Sequence, residues 1–305
     1  MVNTVTVKVP ATTANLGPGF DCIGAALTLY NQFQFSLLTD NDDKLYDINV
    51  TGAGAKGLST GADNLLYQSF VKLYEHLGQT APPVQISITI DVPLARGLGS
   101  SATAIVGGLV AANLLAGEPL DPPEVLELAI ALEGHPDNVV PALLGGCRLA
   151  ATSDGGCQIC DIPWHSHIIP VVAIPDFELS TAEARRVLPT QYSRADAIFN
   201  TSHLGLLVRG LETGRADWIR SALQDRIHQP YRKSLIPGYD VVQKAAVDAG
   251  ALGMVISGAG PTLLALVEAA QAPDIAAAIA SAWQQQSIAA VVKTLQVDQQ
   301  GVTTC

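Results

Sequence analysis

The segment Pro93-Leu94-Ala95-Arg96-Gly97-Leu98-Gly99-Ser100-Ser101-Ala102 brings two glycines and two serines together between a strand-like run and a helix-like one. Glycines let backbone N–H groups approach a phosphate chain, serines add hydroxyl donors or a metal ligand, and a helix N-terminus adds its positive dipole. The chemistry indicated is a cradle for a nucleotide triphosphate. The alternative is an ordinary tight turn, and so many special residues in one short loop favour the cradle. No Gly-x4-Gly-Lys-Ser/Thr segment occurs, so the loop differs from that of the P-loop NTPases. A second pattern, Gly52-x-Gly54-x-x-Gly57, has the spacing of a dinucleotide fingerprint. Leu58-Ser59-Thr60-Gly61 follows where that fingerprint needs a helix, so it reads as a turn.

A third cluster, Cys157-x2-Cys160 followed by His165 and His167, has zinc-ligand chemistry. Gly155-Gly156 marks a hairpin turn before it, and residues three apart in a strand point to opposite faces. A structural reading is therefore preferred to a metal site.

Strand-like runs at 4–9, 31–38, 46–50 and 84–90 alternate with helix-like runs at 63–77 and 101–115. Asp121-Pro122-Pro123-Glu124 carries a cap, a first-turn proline and a carboxylate three residues on, predicting a helix to about residue 133. Short strands follow Gly145-Gly146, then helices near 181–187, 195–212 and 237–249. Strands at 254–257 and 262–267, a helix at 274–285 and a strand near 289–295 close the chain. This order lacks a strict βαβ rhythm and predicts an α+β protein of two subdomains, 1–165 and 166–305.

A chain of 305 residues is long for one core. Its net charge of −11 argues against nucleic acid or an anionic membrane as partner. Two uncharged stretches, 97–117 and 249–267, reach membrane-span length but are interrupted by serines and glycines. The opening MVNTVTVKVP alternates as a strand does rather than as a secretion signal, and five cysteines suit a reducing compartment; the expectation is cytoplasmic.

Pro-x3-Gly-Leu-Gly-Ser-Ser-Ala resembles the central signature of the GHMP kinases. The resemblance reaches Pro10-Ala11-Thr12-Thr13-Ala14-Asn15-Leu16-Gly17-Pro18-Gly19-Phe20-Asp21 as a first motif and Ser257-Gly258-Ala259-Gly260-Pro261-Thr262 as a third. It implies a ribosomal-protein-S5-like N-terminal part that binds ATP and a ferredoxin-like C-terminal part. The first motif, Glu133-Gly134-His135-Pro136-Asp137-Asn138 and Asp225-Arg226-Ile227-His228-Gln229-Pro230-Tyr231-Arg232 are similar to the homoserine-type members. Mevalonate-type and diphosphocytidyl-methylerythritol-type kinases fit the first motif less well, and a non-catalytic sensor that keeps the fold is the non-enzyme alternative.

For L-homoserine as substrate the resemblance implies that Asn15 and Asp21 face the amino group, that His135 lines the same end, and that Arg185 and Arg232 hold the carboxylate. A zwitterionic amino acid needs one anionic and one cationic anchor, and guanidinium fits carboxylate bidentately. Each of these residues also has a plain structural alternative, Asp21 as a turn residue and Arg185 as a solvated helix residue. For ATP the resemblance implies the loop residues Pro93, Leu94, Ala95, Arg96, Gly97, Leu98, Gly99, Ser100 and Ser101, with Asn64 against the adenine. Gly99 is expected to serve the phosphates rather than the fold. Mg²⁺ would take Ser100, Ser101 and Glu127, chosen over Glu133 for its distance before His135. Thr12 stands where mevalonate-type relatives have a lysine, and Asn138 where they have an aspartate. The expected chemistry therefore lacks a strong base, with Asn138 orienting the hydroxyl and Asp137 as the rival base. A homodimer is what the resemblance implies for assembly.

Overall fold

The computed structural model describes residues 3–38, 44–52, 54–55 and 57–305, so Ala53 and Lys56 of the second glycine pattern lie outside the described residues. The elements run β1 (Thr4–Ala14), β2 (Ile23–Leu37), β3 (Tyr46–Gly52), α1 (Leu65–His76), β4 (Val84–Ile90), α2 (Ser100–Leu115), α3 (Pro122–Glu133), α4 (Pro136–Leu144), β5 (Cys147–Ser153) and β6 (Gly156–Ile162). The second half holds β7 (Ile168–Pro175), α5 (Thr181–Arg186), α6 (Arg194–Thr213), α7 (Ala216–Ala222), α8 (Gln229–Arg232), α9 (Tyr239–Asp248), β8 (Gly253–Ile256), β9 (Leu263–Glu268), α10 (Ala272–Gln285), β10 (Ala290–Thr294) and β11 (Thr303–Thr304).

Two sheets organise this α+β fold. The first has seven strands along the path β11-β1-β2-β4-β3, with β5 pairing β2 and β6 pairing β5; the second has four, ordered β10-β7-β9-β8. Among the described residues only β3 and β4 pair in parallel; the other ladders are antiparallel. The second sheet begins beyond residue 165, but the chain end returns to the first: Val297 bridges Leu27, and β11 pairs β1.

β2 is longer than the predicted 31–38 because its first part, Ile23 to Leu27, is covered on both faces and loses the two-residue alternation. β1 changes in the same way, alternating to Val9 and then wholly buried to Ala14, with a register shift after Pro10 that bends it inward. Helices α1 to α4 cover one face of the first sheet, burying Phe33, Phe35, Phe70, Val106 and Leu109. In α2, a Cβ on Gly107 would collide with Phe33 and one on Gly108 with the α1 backbone, so these glycines permit close helix packing. Helices α9 and α10 cover the second sheet, burying Trp283, Tyr239 and Ile279. Between the sheets lies a further apolar cluster with Leu16, Ile23, Leu27, Leu98, Val172 and Leu264. Burial of this kind contributes about 1.5–3 kcal/mol for each large aliphatic side chain. The cluster fixes the two sheets against each other, and the loops at their junction form the site.

Candidate active site

The loop after β1 is strained. Asn15, Leu16 and Asp21 have φ of 73°, 45° and 57°, a region that costs non-glycine residues about 1–3 kcal/mol each. Asn15 holds the loop: its Oδ1 accepts the Asp21 backbone N–H at 3.0 Å and its Nδ2 donates to the Gly258 carbonyl at 2.8 Å. Buried Leu16 anchors the turn from below. Asp21 is thereby presented to the cleft.

The glycine loop meets the third motif backbone to backbone. A Cβ on Gly97 would collide with the Ser257 carbonyl, Ser257 Oγ donates to the Gly97 carbonyl at 2.7 Å, and the Thr262 N–H donates to the Arg96 carbonyl at 3.2 Å. Gly99, at φ 67°, starts α2 without any side-chain cap, whereas Asn64, Asp121, Ser180 and Ser193 cap α1, α3, α5 and α6. The first-turn N–H groups of α2 are thus left for an anion.

The α3–α4 junction supplies the acidic wall. Left-handed Gly134 ends α3 and His135-Pro136 begins α4, so Glu133, His135, Asp137 and Asn138 all reach the same cavity. Ser101 Oγ donates to Glu133 Oε1 at 2.7 Å. Burial holds the Glu133 carboxyl above its ordinary pKa, although the Ser101 hydrogen bond opposes the shift. His135 Nδ1–H donates to Asp137 Oδ1 at 2.6 Å, and that bond raises the imidazole pKa against the opposing effect of burial.

The cationic wall comes from the second half. Arg185 on α5 donates NH1 to Asp21 Oδ2 at 2.9 Å and NH2 to Asp21 Oδ1 at 2.8 Å. Arg232 on α8 is 2% exposed and donates Nε to the Ala184 carbonyl at 3.1 Å and NH1 to the Gly258 carbonyl at 2.9 Å. Among the described residues no carboxylate lies within ion-pair distance of it. Burial, followed by the Arg185 charge, depresses its pKa to about 10. The Phe20 ring lies under both guanidiniums, 5.6 Å from Arg185 and 5.0 Å from Arg232, with His228 stacked against it. Burial pushes the His228 pKa down, and its Nε2–H donates to the Gly17 carbonyl at 2.8 Å. Asp225 accepts the backbone N–H groups of Ile227, His228 and Gln229, which fixes the start of α8.

The resulting cavity has a volume of about 300 Å³ and is lined by Asn15, Asp21, Ala95, Gly97, Gly99, Ser100, Ser101, Glu133, His135, Asp137, Asn138, Arg185 and Arg232. A second, apolar chamber of about 200 Å³ opens beside it, walled by Phe33, Leu58, Asn64, Leu66, Ile90, Leu94 and Ala104. Ser100 and Ser101 line both. A polar pocket joined through a phosphate-type loop to an apolar slot suits a small charged acceptor and a planar base.

Several expected residues stand differently. Glu127 is exposed on α3 and outside the cavity, because α3 runs directly into Gly134 with no intervening loop, whereas the last helical carboxylate, Glu133, lines the cavity. Asn64 lines the apolar chamber, but its Oδ1 caps α1 through Leu66 and Tyr67 N–H and its Nδ2 donates to the Ser59 carbonyl, so it shapes the wall. Arg96 turns away, donating to the Pro175 and Leu94 carbonyls beside Glu178, and with Pro93 it lines a separate groove. Leu98 is core. A Cβ on Gly99 would collide with Thr12 Oγ1, so Gly99 serves the fold as well as the loop, contrary to the expectation of a purely phosphate-facing role. Cys157 packs on the helical core and Cys160 is exposed, and no group of three or more His, Cys, Asp or Glu among the described residues could hold a metal ion.

The sequence reading missed Ser180 and Thr181, which line the polar cavity at the start of α5; the Ser-x-x-Glu capping pattern at 180–183 locates that helix start. It also missed the walls of the apolar chamber, whose leucines and isoleucines carry no signal that separates them from core.

Residues 64–146 match the family described as GHMP kinases N terminal domain, and residues 207–285 the GHMP kinases C terminal family. The chain is 67% identical over 303 residues, 99% of each sequence, to homoserine kinase of Trichormus variabilis. It is 67% identical to homoserine kinase of Microchaete diplosiphon, over 100% of this chain and 98% of the relative. The crystal structure of homoserine kinase from Cytophaga hutchinsonii superposes with a TM-score of 0.90 at 33% identity, covering 100% of this chain and 98% of that one.

Proposed function

The chain belongs to the homoserine kinases of the GHMP kinase superfamily, and we propose that the cleft between its sheets carries out their reaction with the residue roles that follow. The protein transfers the terminal phosphoryl group of ATP to the side-chain hydroxyl of L-homoserine, giving O-phospho-L-homoserine for threonine biosynthesis. The observation that carries the site reading is Arg232, a buried guanidinium without a carboxylate partner in a cavity that already holds Arg185. An unpaired buried charge is costly, and the carboxylate of an amino acid substrate supplies its counterion. Asp21 and His135 take the amino-group end, and the N–H groups and serines at the start of α2 take the triphosphate. The apolar chamber takes the adenine.

Mg²⁺ fits Glu133 and Ser101, one half-buried carboxylate beside one hydroxyl at the phosphate loop, with phosphate oxygens and water completing its shell. When bound it supplies charge neutralisation on the triphosphate. Acceptor and donor are aligned by the protein, and alignment alone contributes about 7–11 kcal/mol to such reactions. The reading extends to two domains, 1–165 and 166–305, and a homodimer in the cytoplasm; no helix among the described residues is long and apolar enough to cross a membrane.

A coupled ADP-release assay with homoserine, mevalonate and galactose tests the function. Turnover with homoserine is expected, and release only with mevalonate or galactose would overturn it. Sedimentation velocity tests the dimer.

A further inference from the structure

Thr12 sits fully buried in β1 between the phosphate loop and Asn138. Its N–H donates to the Leu98 carbonyl at 3.1 Å, its Oγ1 abuts Gly99, and its hydroxyl donates to Asn138 Oδ1 at 2.8 Å. Asn138 lines the cavity whereas Thr12 does not, so Thr12 can reach the reaction only through its neighbours. The orientation of the Asn138 amide is fixed by the other contact it makes. Its second polar atom lies 3.3 Å from Asp137 Oδ1, and a carboxylate only accepts, so that atom is Nδ2. The carbonyl end therefore faces Thr12, and one N–H remains for the cavity.

We propose that Thr12 is a positioning residue for phosphoryl transfer: with the sense of the Asn138 amide set by Asp137, the Thr12 hydroxyl holds the amide's carbonyl end in place so that an N–H is presented to the attacking hydroxyl of the substrate. This rests on the kinase reading above. An N–H donated to the acceptor oxygen leaves the hydroxyl hydrogen without a protein acceptor at Asn138 and turns it toward the nucleotide. The oxygen then forms its bond to the γ-phosphorus while the bond from that phosphorus to the β-bridging oxygen breaks, its electron pair leaving on ADP. The proton passes to a non-bridging oxygen of the transferred group. Such a path suits a loose transition state, in which the nucleophile develops little charge. Without the Thr12 hydroxyl the buried amide oxygen loses its donor, and the amide is free to turn out of line with the acceptor oxygen.

The test uses Thr12→Val, Thr12→Ser, Asn138→Ala and the Thr12→Val/Asn138→Ala double variant of the full chain. Thr12→Val is expected to lower kcat by about tenfold or more, with both KM values within about threefold. Thr12→Ser, which keeps the donor, should return kcat to within about threefold of wild type. In the Asn138→Ala background Thr12→Val should cause no further loss. Unchanged kcat in Thr12→Val, an equal loss in Thr12→Ser, or a full additional loss in the double variant would each overturn the proposal. The last outcome would place Thr12's action on the phosphate loop instead. If Thr12→Val does not fold, Thr12→Ala carries the same cycle with the same outcomes. Absence of wild-type turnover with homoserine is a separate result that overturns the kinase reading itself.

Discussion

Asp21 and Arg185 lie on different halves of the molecule and form a bidentate ion pair across the cleft, at 2.8 and 2.9 Å. Each is the expected anchor for one charge of the substrate. A zwitterion exchanges with this pair without stranding either group, since its ammonium takes Asp21 and its carboxylate takes Arg185. A ligand with a carboxylate alone leaves Asp21 uncompensated. Asp21→Asn should therefore weaken homoserine yet strengthen 4-hydroxybutyrate by about three- to tenfold, because Arg185 is no longer engaged. Binding can be followed by protection of the melting temperature. An unchanged 4-hydroxybutyrate affinity would reduce Asp21 to a simple amino-group contact.

Glu133 and Glu127 separate on the same logic. Glu133→Gln should lower turnover by on the order of 100-fold, since it removes the carboxylate beside the phosphate loop. Its raised pKa makes the ionised form the disfavoured one in the fold. The stability it contributes is present below the unfolded-state pKa and lost as pH rises through the folded-state value, so above that value the cost is fully developed. The same variant should thus melt higher than wild type on the alkaline side of that value. Exposed Glu127→Gln should alter neither property, and a loss of Mg²⁺-dependent turnover in that variant alone would reverse the assignment.

How the two glutamates differ also shows what a sequence can convey. The motif resemblance picked out Asp21, His135, Asn138, Arg185 and Arg232 together with Gly97, Gly99, Ser100 and Ser101, and all of these line one cavity. Counting back from His135 picks Glu127, but it takes a helix face, not a residue count, to decide which carboxylate points inward, and that face brings Glu133 to the cavity. The apolar chamber was illegible for a different reason. Phe33, Leu66 and Ile90 line it with the same alternation that builds the adjoining core, and a cavity leaves no mark on periodicity. The buried first part of β2 was lost because strands covered on both faces stop alternating.

Arg232 bears a buried charge with no carboxylate within ion-pair distance among the described residues. Arg232→Met keeps most of the volume but removes the guanidinium that awaits the carboxylate. Homoserine binding should weaken by about 2–5 kcal/mol while ATP binding stays within about twofold. Stability should be little changed, since the lost bonds to Ala184 and Gly258 carbonyls are offset by relief of a buried cation. Calorimetric titration with each ligand checks this, and equal weakening of both would put Arg232 in the nucleotide site or the scaffold.

The bond between His135 Nδ1 and Asp137 Oδ1 gives the site a pH signature. It raises the imidazole pKa above the ordinary 6.5, helped by the charges of Asp137, Glu133 and Asp21 and opposed by burial. A raised folded-state pKa means that the stability from this pair is fully present below the unfolded-state value and is lost as pH rises through the folded-state one. Asp137→Asn removes the principal cause and leaves burial, so the His135 midpoint should fall. The proton NMR titration of its ring C–H resonances reads this directly, and the alkaline limb of the stability profile should move to lower pH with it. Turnover distinguishes two roles for Asp137. Oδ1 already accepts from His135 and from Asn138, which suits a residue that orients its neighbours. On that basis Asp137→Asn should lower kcat by only about tenfold. A loss of several orders of magnitude with unchanged homoserine KM and intact folding would instead identify Asp137 as the base that takes the acceptor proton, and the baseless mechanism would fall.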